Sequence, residues 1–232
     1  MFQIPDHQVA GHKASKGIIG PLIDNSGRFY KPLQSNNRGS KEESFYKKFS
    51  SNTEIPNHIR KFFPTYYGTQ HIEASDGSGQ HPHLVLEDIV TSPLQASIRS
   101  LHPQNEWLLY TSTSLWLVHG LMTSHTYTVS NSNDVDGESD CAFAQRVYGG
   151  PNGVLAQLLM LKKWFEDQTL FHFYSCSVLM VYEKIKPNED RSCVTIKLID
   201  FAHVVDGQGV IDHNFLGGLC SLIKFVSEIL DN

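Results

Sequence analysis

Val194-Thr-Ile-Lys-Leu-Ile-Asp-Phe-Ala-His203 is followed closely by Asp212-His-Asn-Phe-Leu-Gly-Gly-Leu. These two stretches constrain the chain more than any other part of it. Val194, Ile196, Leu198 and Ile199 read as a buried strand. Asp200 stands at its end, where ladder pairing stops and a side chain can reach a ligand. A carboxylate there, followed by Phe201, can hold Mg²⁺ against phosphate groups; it can equally cap a turn. After Asp212, the residues Phe215, Leu216, Leu219, Leu222, Ile223, Val226, Ile229 and Leu230 recur at helical spacing. They predict a long helix, with Asp212 or Asn214 as its cap.

A chain of 232 residues can form one large domain or two small lobes around a core. Its 40% hydrophobic and 19% charged content is that of a soluble globular protein. A net charge of -5 argues against bulk binding to nucleic acid, though not against a local basic pocket for a phosphorylated small molecule. Cys141, Cys176, Cys193 and Cys220 make no CxxC pair and no zinc spacing, so buried free thiols in a reducing compartment are expected. The first residues, Met1-Phe-Gln-Ile-Pro-Asp, carry no basic and apolar leader, which argues against secretion. Residues 107–122 are the most apolar stretch, but Thr and Ser interrupt it and it falls short of the ~18 residues of a span. Nucleus or cytoplasm is therefore the expected location. The twelve histidines are scattered and read as surface or hydrogen-bonded core residues.

Earlier in the chain, glycines and the Asn-Ser-Gly27 turn predict short strands and tight hairpins over residues 7–34. Arg28-Phe-Tyr-Lys-Pro-Leu33 reads as a strand carrying Lys31. Ser40-Lys-Glu-Glu43 fits a capping box, with Ser40 at the N-cap of a helix running to about Lys48. Phe45, Tyr46 and Phe49 lie on one side of it, and Glu42 is a candidate partner for Lys31. A solvated first-turn Glu is the alternative. A short helix over 58–63 stops at Pro64, and residues 65–72 alternate as a strand. Ser75-Asp-Gly-Ser-Gly79 reads as a hairpin turn before an apolar strand over 83–90 that ends in acids. Residues 91–140 show no clean period, and 131–140 reads as a linker. Beyond them come a strand or short helix at 142–147, a glycine loop at 149–153 and a helix over 154–166. That helix shows Leu155, Leu158, Leu159, Leu161, Trp164 and Phe165 on a wide apolar face. A buried strand over 175–183 and a charged turn at 186–191 complete the chain.

Together these stretches resemble the inositol polyphosphate kinases, and most closely the plant multikinases among them. The resemblance is carried by Gln8-Val-Ala-Gly-His12, Phe29-Tyr-Lys-Pro-Leu-Gln34, Arg38-Gly39 with Glu42 and Phe45-Tyr46, and His83-Leu-Val-Leu-Glu-Asp88. It continues through Tyr148-Gly-Gly150, Ser175-Cys-Ser-Val-Leu179, Lys197-Leu-Ile-Asp-Phe-Ala-His203 and Asp212-His-Asn-Phe-Leu-Gly-Gly-Leu. It implies an α+β, two-lobed fold related to protein kinases and ATP-grasp proteins, with nucleotide between the lobes. The N-lobe and the start of the hinge would span 1–90, an atypical insert 91–140, and the C-lobe 141–232. By the same resemblance Lys31 would contact ATP phosphates and Glu42 would pair with Lys31. Glu87 and Ile89 would offer hinge backbone groups to adenine. Asp200 would bind Mg²⁺, and His203 would sit near the transferred phosphate. The substrate would be inositol trisphosphate or tetrakisphosphate.

One departure opposes these matches. The family signature P-x-x-x-D-x-K-x-G should follow the Leu86-Glu-Asp-Ile89 strand. Here Pro93 is present, but the Asp and the Lys are not, nor is the lysine-rich segment that binds the inositol phosphate in relatives. A shifted reading frame across residues 116–121 permits Ala-Arg-Thr-Trp, similar to what relatives carry after the signature glycine. The stretch from about 91 to 130 then reads as the product of a frameshift or aberrant splice. Three readings stay open: a kinase with impaired transfer, a non-catalytic member that binds nucleotide or serves as a scaffold, and a chain that folds poorly around the apolar stretch 107–122.

Overall fold

The computed structural model describes residues 2–5, 18–89, 96–101, 127–128, 145–183 and 194–231; for 96–101, 127–128 and 182–183 it describes the backbone alone. The expectations for residues 8–12, 107–122, 131–140 and 186–191, and for Cys141 and Cys193, lie outside that set.

β1 (Leu22–Ile23), β2 (Arg28–Pro32), β3 (Tyr66–Glu73) and β4 (Gln80–Glu87) form an antiparallel sheet in the order β1-β2-β4-β3. Asp24 closes the first hairpin by accepting from Ser26 N, Ser26 Oγ, Arg28 N and Tyr30 OH. β4 starts earlier than its apolar run and ends at Glu87, because Asp88 N turns away to Gly27 O. Leu84 and Leu86 face one side of this sheet and join the main core. Val85 faces the other side with Leu22, Tyr30 and Ile72.

α1 (Arg38–Ser51) lies against the first sheet, and α2 (Asn57–Arg60) follows it. The capping box is not formed. Asn36 and Asn37 both take left-handed backbone (φ 58° and 62°), so the helix starts before Ser40, with Asn37 at its N-cap. Ser40 Oγ donates back to Asn37 O, and Glu43 is drawn off to Thr69 Oγ1 at 2.7 Å and Lys47 at 2.8 Å. Gly39 is demanded by close approach: a Cβ there would meet Gln34 N at 2.8 Å and Leu33 Cβ at 2.9 Å.

The second four-stranded sheet runs β6-β5-β8-β9, with β5 (Ala96–Leu101), β6 (Tyr127–Thr128), β8 (Ser177–Glu183) and β9 (Val194–Ile199). β5 and β6 fall in the stretch read as aperiodic. Two further strands also escaped prediction. They are β7 (Phe171–Phe173) and β10 (Val204–Asp206), which pair with each other. α3 (Val154–Asp167) packs on α4 (His213–Asp231). α3 buries Val154, Leu158, Leu161 and Phe165, whereas Leu159, expected on that face, is exposed. Asp212 caps α4: its Oδ1 accepts from Phe215 N at 2.9 Å and its Oδ2 from Phe173 N at 2.6 Å. Asn214 lies inside the helix.

One apolar cluster runs from α1 and β4 through α3, β7, β8 and β9 to α4. Its middle is aromatic, with Phe45, Phe63 and Phe173 around Phe201. Cys176 is buried as expected, but Cys220 is exposed on α4. Among the described residues no helix is long and apolar enough to cross a membrane.

Candidate functional site

Three residues far apart in sequence meet at one ammonium group. Lys31 is delivered by β2, Glu42 by the second turn of α1, and Asp200 by the residue after β9. Lys31 Nζ lies 2.9 Å from Glu42 Oε1 and 2.6 Å from Asp200 Oδ1. Burial works against the lysine's charge, but Asp200 and then Glu42 outweigh it and hold the ammonium well above the usual lysine range. Glu42 is deeply buried, its side chain 2% exposed. Its Oε1 also accepts from Phe201 N at 3.4 Å. The carboxylate of α1 thus holds both the lysine and the backbone just after Asp200.

Asp200 is the open member of the three, its side chain 41% exposed. Its backbone is left-handed, with φ 66°. Phe201 beside it is fully buried among Phe45, Tyr46, Phe63 and Phe173. That anchor aims the carboxylate outward. Below the site, burial pushes the Cys176 thiol up, and Asp200 and Glu42 reinforce the shift. Burial, then Glu42 and Asp200, likewise raise the Tyr46 phenol. Both groups stay neutral, so the fixed charges are Lys31, Glu42 and Asp200.

His203 follows Asp200 and reaches the N-terminus of α1, where its Nε2 lies 3.3 Å from Arg38 Nη2. A guanidinium only donates, so the His203 Nε2 in this pair is the acceptor. Arg38 was noted in the sequence only as part of a motif, with no role attached.

Glu87 and Ile89 sit where β4 leaves the first sheet. Glu87 N donates to Thr65 O at 2.8 Å. The Glu87 side chain is turned to Lys197, at 2.9 Å. Ile89 packs with Leu179, Val181 and Ile199, an apolar face between the end of β4 and the second sheet. Lys197 is the ionisable neighbour that sequence reasoning missed. Its one signal was a charged residue within an otherwise apolar strand.

The strand register sharpens the departure from the signature. Counted from Pro93, the aspartate and lysine positions fall on Ser97 and Arg99. In β5, position 97 pairs with Tyr182 and position 99 with Met180. Residues opposite one another in an antiparallel ladder share a face. Position 99 therefore belongs with Met180, which is part of the main core. Positions 98 and 100 pair with Val181 and Leu179, the face that meets Ile89.

Comparison with known proteins bears on the family and the fold. A family profile described as inositol polyphosphate kinase matches residues 139–227. The chain is 44% identical to inositol polyphosphate multikinase beta of Arabidopsis thaliana over 284 residues, covering all of this chain and 95% of that protein. It is 44% identical to the alpha protein of the same plant over 280 residues, covering 100% and 97%. Those 284 aligned positions exceed the 232 residues of this chain, so the relative carries segments without a counterpart here. Among solved structures, one from structural studies and protein engineering of inositol phosphate multikinase is 37% identical, with a TM-score of 0.58, covering 81% of this chain and 98% of that one. The multikinase Ipk2 of S. cerevisiae, solved with ADP and Mn²⁺, shares the fold at 15% identity and a TM-score of 0.50. With full-length identity to the plant proteins and a matching fold, the chain belongs to the inositol polyphosphate multikinase family.

Proposed function

We propose that the chain binds Mg²⁺-ATP where Lys31, Glu42 and Asp200 meet, and that its acceptor is an inositol trisphosphate or tetrakisphosphate. The Lys31–Glu42–Asp200 bridge carries this reading. Lys31 would exchange its Asp200 contact for nucleotide phosphate oxygens while Glu42 keeps it in place. Asp200 would then be released to the metal. Mg²⁺ takes one or two protein carboxylates and fills its other positions from phosphates and water. One exposed carboxylate fits that demand. Among the described residues no three His, Cys, Asp or Glu side chains gather to hold an ion unaided. When bound, the metal would supply charge neutralisation on the transferring group. Ile89, Leu179, Val181 and Ile199 offer an apolar bed for the base, and backbone groups of Glu87 and Ile89 lie at its edge. Arg38 and His203 stand at the open end, suited to an acceptor phosphate.

Transfer itself would be slow. Such reactions rest on positioning and charge stabilisation, and the signature Asp and Lys are missing from the strand that should supply them. Loss of one preorganised contact commonly costs ~10²–10³ in rate. A nucleotide-binding member with little or no turnover is the second reading, and the β5 register favours it. An altered central segment, from a frameshift or splice, accounts for both the lost signature and the shorter chain. Calorimetric titration with Mg²⁺-ATP, beside a labelled-phosphate assay on inositol trisphosphate, tests this. Binding abolished by Asp200→Asn, with transfer at least ~10²-fold below the Arabidopsis relative, is the expected result. Transfer at the relative's rate would sink the impairment, and absence of nucleotide binding would sink the reading as a whole.

A further inference from the structure

Lys197 is 6% exposed, in a strand whose other inward residues are apolar. Its Nζ donates to Glu87 Oε1 at 3.1 Å and Oε2 at 2.9 Å, and reaches Phe63 O at 3.5 Å. Glu87 Oε2 also accepts from Thr65 N at 3.1 Å and Thr65 Oγ1 at 3.3 Å. Beside this cluster Leu198 N donates to Phe62 O at 2.6 Å. Three segments are tied at one point: the last residue of β4, the chain between α2 and β3, and β9. As a stabiliser such a pair is poor, because desolvation offsets most of its Coulomb energy. What it supplies is direction, since charge-assisted bonds hold a narrow geometry.

The place of the tie gives that direction a use. Glu87 ends the strand that leads into the hinge, and Lys197 lies three residues before Asp200. Lys197 pairs with Leu179 across the ladder and shares a face with Ile199. Leu179 and Ile199 pack against Ile89. The ammonium therefore borders the apolar bed and connects its two walls.

We propose that Lys197 is a positioning residue for the nucleotide. Through Glu87 it fixes the hinge backbone, which meets the base, relative to the strand that carries Asp200, which meets the phosphates through the metal. It touches neither base nor phosphate. The proposal rests on the nucleotide-binding reading above.

Calorimetric titration of the full chain with Mg²⁺-ADP tests it, with thermal melting of each variant run alongside. Lys197→Met is expected to weaken binding about tenfold, the size of effect seen when a coupling contact is cut. Lys197→Arg keeps a two-pronged donor toward Glu87 and should bind within about threefold of the unaltered chain. The neutral pair Lys197→Met with Glu87→Gln leaves no stranded carboxylate, so it should fold and still show the tenfold loss. It carries the test alone if Lys197→Met does not fold. Variants that melt lower yet bind Mg²⁺-ADP as tightly as the unaltered chain would reduce the tie to a structural one and overturn the proposal. An unaltered chain that fails to bind would overturn the nucleotide reading together with it.

Discussion

At the scale of single residues, the centre depends on a buried carboxylate that needs its cation. Lys31→Met would strand Glu42, whose other contact is Phe201 N. Breaking a buried pair from one side costs ~3–5 kcal/mol, and the partial exposure of Lys31 points to the lower end. We expect Lys31→Met to lose about 3 kcal/mol in urea denaturation, and Glu42→Gln added to it to recover part of that loss. A single variant within about 0.5 kcal/mol of the parent would show that Glu42 is solvated. His83 gives a pH-dependent counterpart. Its Nδ1 donates to His81 O at 2.8 Å, and its Nε2 is buried with no hydrogen-bond partner among the described residues. Burial holds its pKa below the usual 6.5, and the nearby His81 and His71 add to the shift. The native state therefore binds fewer protons than the unfolded chain below about pH 6.5. The stability tied to His83 is complete above that pH and is lost as pH falls through the lower native value. The denaturation midpoint should drop between pH 7 and 5, and His83→Leu should flatten that drop. An unchanged slope in His83→Leu would refute it.

At the scale of elements, the register of the second sheet makes the proposed impairment of transfer testable. A shift of one residue in a strand moves a whole set of positions to the other face. In β5 the signature's counted positions, 97 and 99, share the ladder face of Met180. The face toward Ile89 holds positions 98 and 100. Ile98→Asp with Ser100→Lys keeps the D-x-K spacing on that face and should raise labelled-phosphate transfer to inositol trisphosphate by about tenfold or more. Ser97→Asp with Arg99→Lys should not raise it, and should lower the melting temperature. The reverse order of effects would reject this register. β5 also shows why part of the site was hidden in the sequence. Ala96-Ser-Ile-Arg-Ser-Leu101 has too few apolar residues to announce a strand, and β7 is only Phe171-His-Phe173. Each gains its pairing from neighbours distant in sequence. Lys31, Glu42 and Asp200 were legible because each sits at a marked point: a strand, the N-terminal part of a helix, a strand end. Lys197 and Glu87 form their pair across the two sheets, which no local pattern encodes.

For the molecule as a whole, the feature that matters is the continuity of the core. The apolar cluster passes from α1 and β4 to α4 without a break, with Phe201 in its aromatic centre. Parts that share buried surface unfold together. Calorimetry should give one transition for the described elements of both sheets. Mg²⁺-ADP should move it upward as a unit, by about 2.7 kcal/mol at a hundredfold excess over Kd, and chelation of the metal should reverse the shift. Two separated transitions, only one of them ligand-sensitive, would show that the sheets fold apart. The long periodic elements of this core, α4 and β9 above all, could be read directly from the chain. How they converge on Phe201 could not, because aromatic packing has no sequence period.

The left-handed backbone at Asp200 bears on how such a protein can change over generations. Most L side chains pay about 1–2 kcal/mol in that conformation, while Gly, Asn and Asp are tolerated. Drift from Asp to Asn preserves shape and fold while removing the charge proposed to hold a metal. On the proposed reading, a copy of this gene could thus lose Mg²⁺-nucleotide binding by one mild substitution and persist as a folded protein. At this position Asn, not Ala, is the replacement that separates loss of charge from loss of structure.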